Sequence, residues 1–274
     1  MKTCVAVGQM TSTDNKKANL DCAEHLIERA AHVGAKFLCL PENFAFIASE
    51  EGGAVLCAED LEGETISRLK RCARLHKIWL SLGGFQEKIP SSTKIYNTHI
   101  IVDDGGSIVA TYRKIHLFSV NLPDGSTYNE AQSVQEGQDL VTFRSPFFKG
   151  GLSVCYDLRF PYMFQELRTR GSEVLLIPAA FTETTGKAHW EVLLRARAIE
   201  TQSYVLASAQ SGIHNEKRKT HGHAMIVDPW GTVIAQCGER GDMAVAEIDL
   251  AYLMSIREGM PLWSQRRMVN EFLS

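Results

Sequence analysis

The sequence predicts an α/β fold in which strands and helices alternate along a single domain, residues 1–274. Short apolar runs are followed by segments of helical period, and antiparallel hairpins occur among them. No repeat, low-complexity tract or break in composition divides the chain. The strands are more numerous than one open sheet comfortably holds, so we expect two sheets packed face to face with helices outside.

The elements alternate from the beginning of the sequence. A strand over 3–10 precedes a helix that Asp14 or Asn15 caps and that Gly34 ends. Further strands are predicted at 36–40, 78–85, 96–102, 107–112, 174–178 and 204–209, and further helices at 64–76 and 188–202. The glycine-containing turns 103–106 and 228–231 indicate hairpins. The stretch 119–138 is predicted to be a long, turn-rich connection.

Charge and cysteine content exclude several classes of function. The formal net charge is −3, so no basic field favours nucleic acid or an anionic membrane surface. The longest apolar run, 174–181, is far too short to span a bilayer. The seven cysteines are irregularly spaced and include no CxxC pair, which is typical of reduced thiols. With no signal or transit segment expected, the predicted location is the cytoplasm, with mitochondria as the alternative.

The segment around Cys155 carries the strongest functional signal. Residues 150–161 read GGLSVCYDLRFP, so a strand-like run ends in the cysteine, and a polar turn and Pro161 lead into a helical pattern. Such a turn lifts a side chain out of the sheet and frees backbone N–H groups to hold an oxyanion. The alternative is that Cys155 is an ordinary core residue, since lone cysteines at strand ends are usually buried.

Two charged residues in matching positions favour catalysis. Glu42 ends the apolar run LCLPE, and Lys114 follows the run that ends in Tyr112. The alternative for Glu42 is a solvated carboxylate at a strand end, and for Lys114 it is a surface cation beside Arg113. Chance is a poor explanation for a carboxylate, a cation and a thiol that all stand at strand ends.

These three residue types can cooperate in attack on a carbonyl. A free cysteine has a pKa of about 8.5 and needs a base or a cation to form a thiolate at neutral pH. We expect Glu42 to take the thiol proton, deliver it to the leaving amine and later activate water. We expect Lys114 to lower the thiol pKa and, with the backbone N–H of Tyr156, to stabilise the tetrahedral oxyanion.

Three motifs resemble the signatures of the nitrilase superfamily of carbon–nitrogen hydrolases. They are LPE at 40–42, YRKIHL at 112–117 and CYDLRFP at 155–161, and the resemblance runs from Val5 to about Arg267. It implies a four-layer α-β-β-α sandwich and a catalytic triad of Glu42, Lys114 and Cys155. The mechanism that it implies uses no cofactor. One departure is Tyr162, where the family commonly has Glu, and it puts local salt bridging and the helix start in question.

Within the superfamily, segments 78–84, 188–200 and 222–231 resemble the deaminated glutathione amidase branch, the Nit component of Nit–Fhit proteins. This implies hydrolysis of deaminated glutathione to 2-oxoglutarate and cysteinylglycine through a thioester, and a homodimer. The nearest alternative is an omega-amidase acting on 2-oxoglutaramate, or another small-amide hydrolase. A catalytically idle interaction protein is less favoured, because all three triad residues are present.

Further residues are candidates for supporting roles. Glu130 matches a second glutamate of related amidases and is expected to orient Lys114 or the substrate amide; the alternative is a loop carboxylate. Arg159 is expected to grip a substrate carboxylate, with an ion pair to Asp157 or to a carboxylate at a helix end as the alternative. Phe181 and Thr185 fall in a loop that borders the pocket in the family, although they suit a core residue and a turn residue equally well.

His221 and His223 are two residues apart, so a strand would place both on one face. Two histidines on one face are the beginning of a metal site. No third ligand is evident, so the sequence predicts no metal.

Overall fold

The computed structural model describes residues 2–50, 52–121, 125, 127–239 and 242–267. The strands are β1 (Lys2–Met10), β2 (Phe37–Leu40), β3 (Trp79–Lys88), β4 (Ile95–Val102), β5 (Ile108–Arg113), β6 (Ser119–Asn121), β7 (Thr127–Asn129), β8 (Thr142–Arg144), β9 (Lys149–Leu152), β10 (Val174–Leu176), β11 (Tyr204–Ala207), β12 (Ala209–Asn215), β13 (Arg218–His221), β14 (Met225–Val227), β15 (Val233–Gln236) and β16 (Met243–Asp249). The α-helices are α1 (Lys16–His32), α2 (Gly53–Leu56), α3 (Glu64–His76), α4 (Pro161–Thr169), α5 (Glu183–Thr201), α6 (Leu250–Gly259) and α7 (Leu262–Gln265). Two 3₁₀ helices span Glu130–Gln132 and Cys155–Arg159.

The first sheet has the order β13-β12-β1-β2-β3-β4-β5, and β16 also pairs with β1. Strand β2 runs parallel to both β1 and β3. Its side chains alternate between two apolar layers, as the period of a strand requires. Phe37 and Cys39 belong to the core shared with the second sheet, whereas Leu38 and Leu40 pack with residues of α1 and α3. All four are buried, which explains the unbroken apolar run in the sequence.

The second sheet has the order β15-β14-β11-β10-β9-β8, with β9, β10 and β11 parallel. Helices α4 and α5 cover its outer face through buried residues that include Phe164 and Trp190. Its inner face packs against the first sheet. The architecture is therefore the predicted α-β-β-α sandwich in a single domain.

Several predicted elements have the expected bounds or pairing. Helix α3 spans the predicted 64–76, and the two hairpins form as β4–β5 and β14–β15. Helix α5 begins at Glu183 rather than 188, because the side chain of Thr182 caps it by accepting from the N–H of Thr185. The stretch 119–138 also contains more structure than predicted, since β6 pairs with β7 and the Glu130–Gln132 turn follows.

The single strand predicted at 204–209 is wrong. Strand β11 ends at Ala207 in the second sheet, and β12 begins at Ala209 in the first. Ser208 lies between them, and its hydroxyl donates to the Leu40 carbonyl at 2.9 Å. The apolar pattern runs on through this residue because both strands are buried, so the pattern cannot show that the chain changes sheets.

Among the described residues, we find no helix with both the length and the apolar character needed to cross a membrane. All seven cysteines are free thiols.

Candidate active site

Glu42 reaches the site from the first sheet, just beyond the end of β2. Gly84 on β3 packs against it with a φ of +62°. A Cβ at Gly84 would lie 2.5 Å from Glu42 Cγ, so glycine is required for this close approach. Glu42 is only 3% exposed, which shows that the alternative of a solvated carboxylate is wrong.

Lys114 follows β5, and its ammonium group lies between two carboxylates. Its Nζ donates to Glu42 Oε1 at 3.1 Å and to Glu130 Oε2 at 2.8 Å. Lys114 is 2% exposed, so it is not the surface cation of the alternative interpretation. The backbone N–H of Phe118 donates to Glu130 at 2.7 Å and holds that carboxylate in place. Glu130 is thus positioned to orient Lys114.

Asn97 on β4 joins the two carboxylates and was not predicted. Its Nδ2 donates to Glu42 Oε1 at 2.9 Å and to Glu130 Oε1 at 3.0 Å. The run of polar residues from Asn97 to His99 inside a buried strand is the only sequence signal that marks it. This amide and the Lys114 ammonium together satisfy carboxylates that would otherwise be costly to bury.

Cys155 stands beyond β9, at the start of the 3₁₀ helix Cys155–Arg159. Its φ is +49°, a region that side-chain-bearing residues rarely adopt, and its N–H donates to the Pro178 carbonyl at 2.9 Å. The predicted sharp turn between strand and helix is therefore present. Cys155 is buried, as the core alternative requires, but its thiol contacts Glu42 and borders a cavity.

The electrostatics of the cluster keep Glu42 and Lys114 charged. Burial raises the pKa of Glu42, but Lys114, the Cys155 thiol and Asn97 outweigh it and hold the pKa below its usual value. Burial likewise lowers the pKa of Lys114, but the carboxylates of Glu130 and Glu42 outweigh it and raise the pKa. The cluster therefore contains a buried ammonium shared by two carboxylates.

The thiol of Cys155 behaves differently from the sequence expectation. Burial and the Glu42 carboxylate raise its pKa well above the usual value, while Lys114 and a hydrogen bond from the Ala180 N–H oppose them only in part. Lys114 does lower the thiol pKa, but it does not decide the net direction. The resting thiol is protonated, and Glu42, which accepts its hydrogen bond, is the group in place to remove the proton.

A cavity of about 600 Å³ opens beside this cluster. All the residues predicted to react, to bind substrate or to hold the oxyanion line it: Glu42, Lys114, Glu130, Cys155, Tyr156, Arg159, Phe181 and Thr185. Phe181 is 7% exposed and packs on Trp190, so it borders the core as well as the cavity. Thr185 lies in the first turn of α5, where its hydroxyl hydrogen-bonds that of Thr182 at 2.8 Å.

Among the residues that the structure describes, Arg159 forms an ion pair neither with Asp157 nor with a carboxylate at a helix end, so that alternative is wrong. Its guanidinium lies 5.2 Å from the Phe181 ring centroid and 5.7 Å from that of Tyr156, and contacts His189 Nδ1 at 3.2 Å. Burial lowers the pKa of Arg159 without making it neutral at physiological pH. Arg159 therefore places a positive charge at the wall of the cavity.

Asp157 instead stabilises the turn at Cys155 through buried hydrogen bonds. Its carboxylate is fully buried and accepts from the Tyr112 hydroxyl at 2.7 Å and the Val154 N–H at 2.8 Å. His116 Nδ1 contacts the other carboxylate oxygen at 2.7 Å, and His116 Nε2 contacts the hydroxyl of Tyr162. Tyr162, which departs from the family pattern, is therefore linked to the turn by hydrogen bonds through His116. Helix α4 begins normally at Pro161.

His221 and His223 line a second cavity with Trp190, apart from the cavity that Cys155 borders. Their ring centroids are 4.4 Å apart, although only His221 belongs to a strand and His223 has a φ of +58°. The prediction that one strand face carries both was therefore wrong. No group of three potential metal-ligating side chains occurs in the part of the chain that the structure describes.

We expect Lys114→Met to raise the thiol pKa of Cys155 further and to slow turnover sharply. The ammonium lowers that pKa, so its loss leaves only the hydrogen bond from the Ala180 N–H to oppose burial and Glu42. The change also leaves the buried carboxylate of Glu42 and the partly buried one of Glu130 without their cation, which costs about 3–5 kcal/mol of folding free energy. The alkylation rate of Cys155, followed by peptide mass spectrometry against pH, should shift to higher pH.

The control for this variant is Lys88→Met, since Lys88 is an exposed cation at the end of β3. Circular dichroism establishes that each variant is folded before alkylation. A profile for Lys114→Met that coincides with that of the control would show that the ammonium does not act on the thiol.

Comparison with known proteins places this geometry in a family. The model of the carbon–nitrogen hydrolase family matches residues 4–258. The deaminated glutathione amidase of Dictyostelium discoideum is 45% identical over 97% of this chain and 94% of its own length. The deaminated glutathione amidase of Homo sapiens is 46% identical over 96% of this chain and 82% of its own length. The crystal structure of the C. elegans NitFhit protein superposes with a TM-score of 0.93 at 44% identity, covering 97% of this chain and 65% of that one.

Proposed function

This chain belongs to the carbon–nitrogen hydrolase family, and from that premise we propose that it is a thiol amidase that hydrolyses deaminated glutathione to 2-oxoglutarate and cysteinylglycine. One observation carries the proposal: the thiol of Cys155, the carboxylate of Glu42 and the ammonium of Lys114 form one buried cluster at the wall of a cavity. Two sheets supply these residues, so the cluster exists only in the folded chain. A relative named for this activity is 45% identical over nearly the whole length.

In the first half of the proposed reaction, Glu42 removes the proton from the Cys155 sulfur. The sulfur attacks the amide carbon, and the pair of electrons in the carbonyl bond moves onto oxygen. Lys114 and the Tyr156 N–H stabilise this oxyanion. Glu42 then gives its proton to the amide nitrogen, the C–N bond breaks, and the amine leaves. The acyl group remains on Cys155 as a thioester.

In the second half, water enters the place of the leaving amine. Glu42 takes a proton from the water as the oxygen attacks the thioester carbon, and it returns that proton to the sulfur as the C–S bond breaks. The carboxylate therefore serves as base in both halves, which requires it to be ionised at rest. The depressed pKa of Glu42 supports this requirement.

The charge of Arg159 supports an acyl group that carries a carboxylate. A guanidinium has fork geometry that matches a carboxylate, and the rings of Phe181 and Tyr156 stack against it and hold it. We assign this subsite to the oxo-acid end of the substrate, with Thr185 in the same wall. Glu130 positions Lys114 rather than reacting itself.

An omega-amidase acting on 2-oxoglutaramate is the nearest alternative, because that substrate has the same oxo-acid end. A catalytically idle fold is disfavoured by the three charged or thiol side chains buried together, which are expensive to retain without a use.

The test is hydrolysis of deaminated glutathione by the purified chain, with 2-oxoglutarate measured in a coupled assay and a panel of other amides beside it. We expect turnover of deaminated glutathione to exceed that of 2-oxoglutaramate. Rapid-quench mass spectrometry should show the protein heavier by one 2-oxoglutaryl group. Absence of both product and adduct with every amide would leave the idle fold as the answer, and a preference for 2-oxoglutaramate would favour the omega-amidase.

We also propose a homodimer in the cytoplasm, with mitochondria as the alternative location. Exposed Val192 and Ile199 on α5, together with Trp230 beyond β14, support an association surface. The free cysteines support a reducing compartment.

A further inference from the structure

The cavity beside Cys155 has more cationic side chains than its own carboxylates can neutralise. Its charged lining residues are Glu42, Lys114, Glu130, Arg159 and Arg218. Lys114 forms ion pairs with both carboxylates, Glu42 and Glu130. Neither of these carboxylates forms an ion pair with an arginine among the described residues. In the residues that the structure describes, no carboxylate lies within ion-pair distance of Arg159 or Arg218. Two positive charges are therefore available to a ligand.

We propose that Arg218 binds a carboxylate on the leaving amine of the substrate, so that the cavity selects amides with an anionic group at each end. This inference rests on the proposed function and adds to it the recognition of the departing half of the molecule.

Arg218 reaches the cavity from a different part of the fold than Arg159 does. It is the first residue of β13, at the edge of the first sheet, whereas Arg159 ends the 3₁₀ helix that follows β9 of the second sheet. Arg218 is half-buried and shares a strand face with Thr220, which is 3% exposed. Its neighbours Lys217 and Lys219 are exposed and do not line the cavity. Arg218 was not predicted from the sequence, because it follows the turn residues Glu216 and Lys217 and stands between two other basic residues.

The two arginines line the same cavity but interact with different groups of the cluster. Arg218 is close enough to Glu42 to help hold the pKa of that carboxylate down, whereas Arg159 interacts with Cys155 and Tyr156. In the proposed mechanism, Glu42 protonates the leaving nitrogen, so the leaving amine lies on its side of the attacked carbon. Arg218 is thus near the departing amine, and Arg159 is near the acyl group.

The chemistry of the proposed substrate matches this arrangement. Deaminated glutathione has one carboxylate at its oxo-acid end and another on the glycine of the leaving dipeptide. An extended dipeptide reaches roughly 7 Å from its amino nitrogen, so its carboxylate extends well beyond the reacting bond. The substrate 2-oxoglutaramate lacks this second carboxylate because ammonia is its leaving group. Arg218 therefore provides a physical basis for preferring the larger amide.

The experiment compares three substrates that share the same acyl group. They are deaminated glutathione, its analogue with the glycine carboxylate converted to an amide, and 2-oxoglutaramate. For the unaltered enzyme, we expect kcat/KM for the acid to exceed that for the amide analogue by roughly ten- to a hundredfold, the value of a charge-assisted hydrogen bond. Arg218→Gln should lose about the same factor on the acid and no more than about threefold on the other two, which removes the preference.

Two further variants separate binding from other effects. Lys217→Gln removes a charge from the adjacent residue outside the cavity and should keep the preference for the acid. Arg159→Leu should lose activity on all three substrates, because they share the oxo-acid end. Turnover of 2-oxoglutaramate by Arg218→Gln shows that this variant is folded. If Arg218→Gln does not fold, the comparison of the acid with its amide analogue on the unaltered enzyme still decides whether the second carboxylate is recognised.

Three outcomes would overturn the inference. Equal kcat/KM for the acid and the amide analogue on the unaltered enzyme would show that no group of the enzyme recognises the second carboxylate. The proposed function would stand. An equal fall in kcat on all three substrates for Arg218→Gln would mean that Arg218 acts through Glu42 alone. Failure of the unaltered enzyme to hydrolyse any of the three would overturn the proposed function first, and the inference with it.

Discussion

Replacement of Cys155 by alanine is expected to lower the amidase rate by a factor of about 10³ or more, while the fold and substrate binding persist. The loss of a nucleophile usually costs this much, because the remaining binding groups cannot form the acyl intermediate. In the part of the chain that the structure describes, no second thiol lines the cavity, so none can replace it. The measurement is steady-state release of 2-oxoglutarate, together with mass spectrometry for the acyl adduct.

The matched control is Cys22→Ala, which removes an exposed thiol from α1. It should retain the full rate and the adduct. Calorimetric binding of deaminated glutathione to Cys155→Ala checks that the cavity is intact. A residual rate above about 1% of that of the unaltered enzyme, or an adduct that still forms, would assign the nucleophile to another residue.

Glu42→Gln is expected to lower the rate by about 10²–10⁴ and to remove both the burst and the steady-state phase of amide hydrolysis. The resting thiol is protonated because burial and Glu42 raise its pKa, so attack depends on transfer of the proton to this carboxylate. Glutamine keeps the size and the contact with Asn97 but cannot accept the proton. Stopped-flow detection of amine release separates the two phases.

Glu50→Gln is the control, since Glu50 is an exposed carboxylate in the same irregular stretch that follows β2. In the unaltered enzyme, Glu42 has a lowered pKa, so activity should fall only when the pH drops below the ordinary range of a glutamate. If Glu42→Gln kept its burst phase and lost only steady-state turnover, the carboxylate would act in deacylation alone. An unchanged rate in both phases would exclude it as the base.

Much of the site was predictable from local pattern. Glu42, Lys114 and Cys155 each stand just past an apolar run, and a strand that ends abruptly in a reactive side chain is visible in the sequence alone. The helix 64–76 has the predicted bounds because its apolar spacing is periodic. The change of sheet at Ser208 was not predictable, since continuous burial makes two successive strands resemble one.

The order of elements, the two-sheet sandwich and the identity of the buried cluster thus follow from apolar spacing and motif, which are local properties of the chain. Three features depend on pairing between distant segments. Asn97 joins two carboxylates from other elements, Arg218 lines a cavity with residues that follow β2, β5 and β9, and the thiol of Cys155 is protonated at rest. The pKa of this thiol is set by burial and by two opposite charges, those of Glu42 and Lys114. Whether the pKa rises or falls depends on distances and solvent exposure, which exist only once the two sheets have packed.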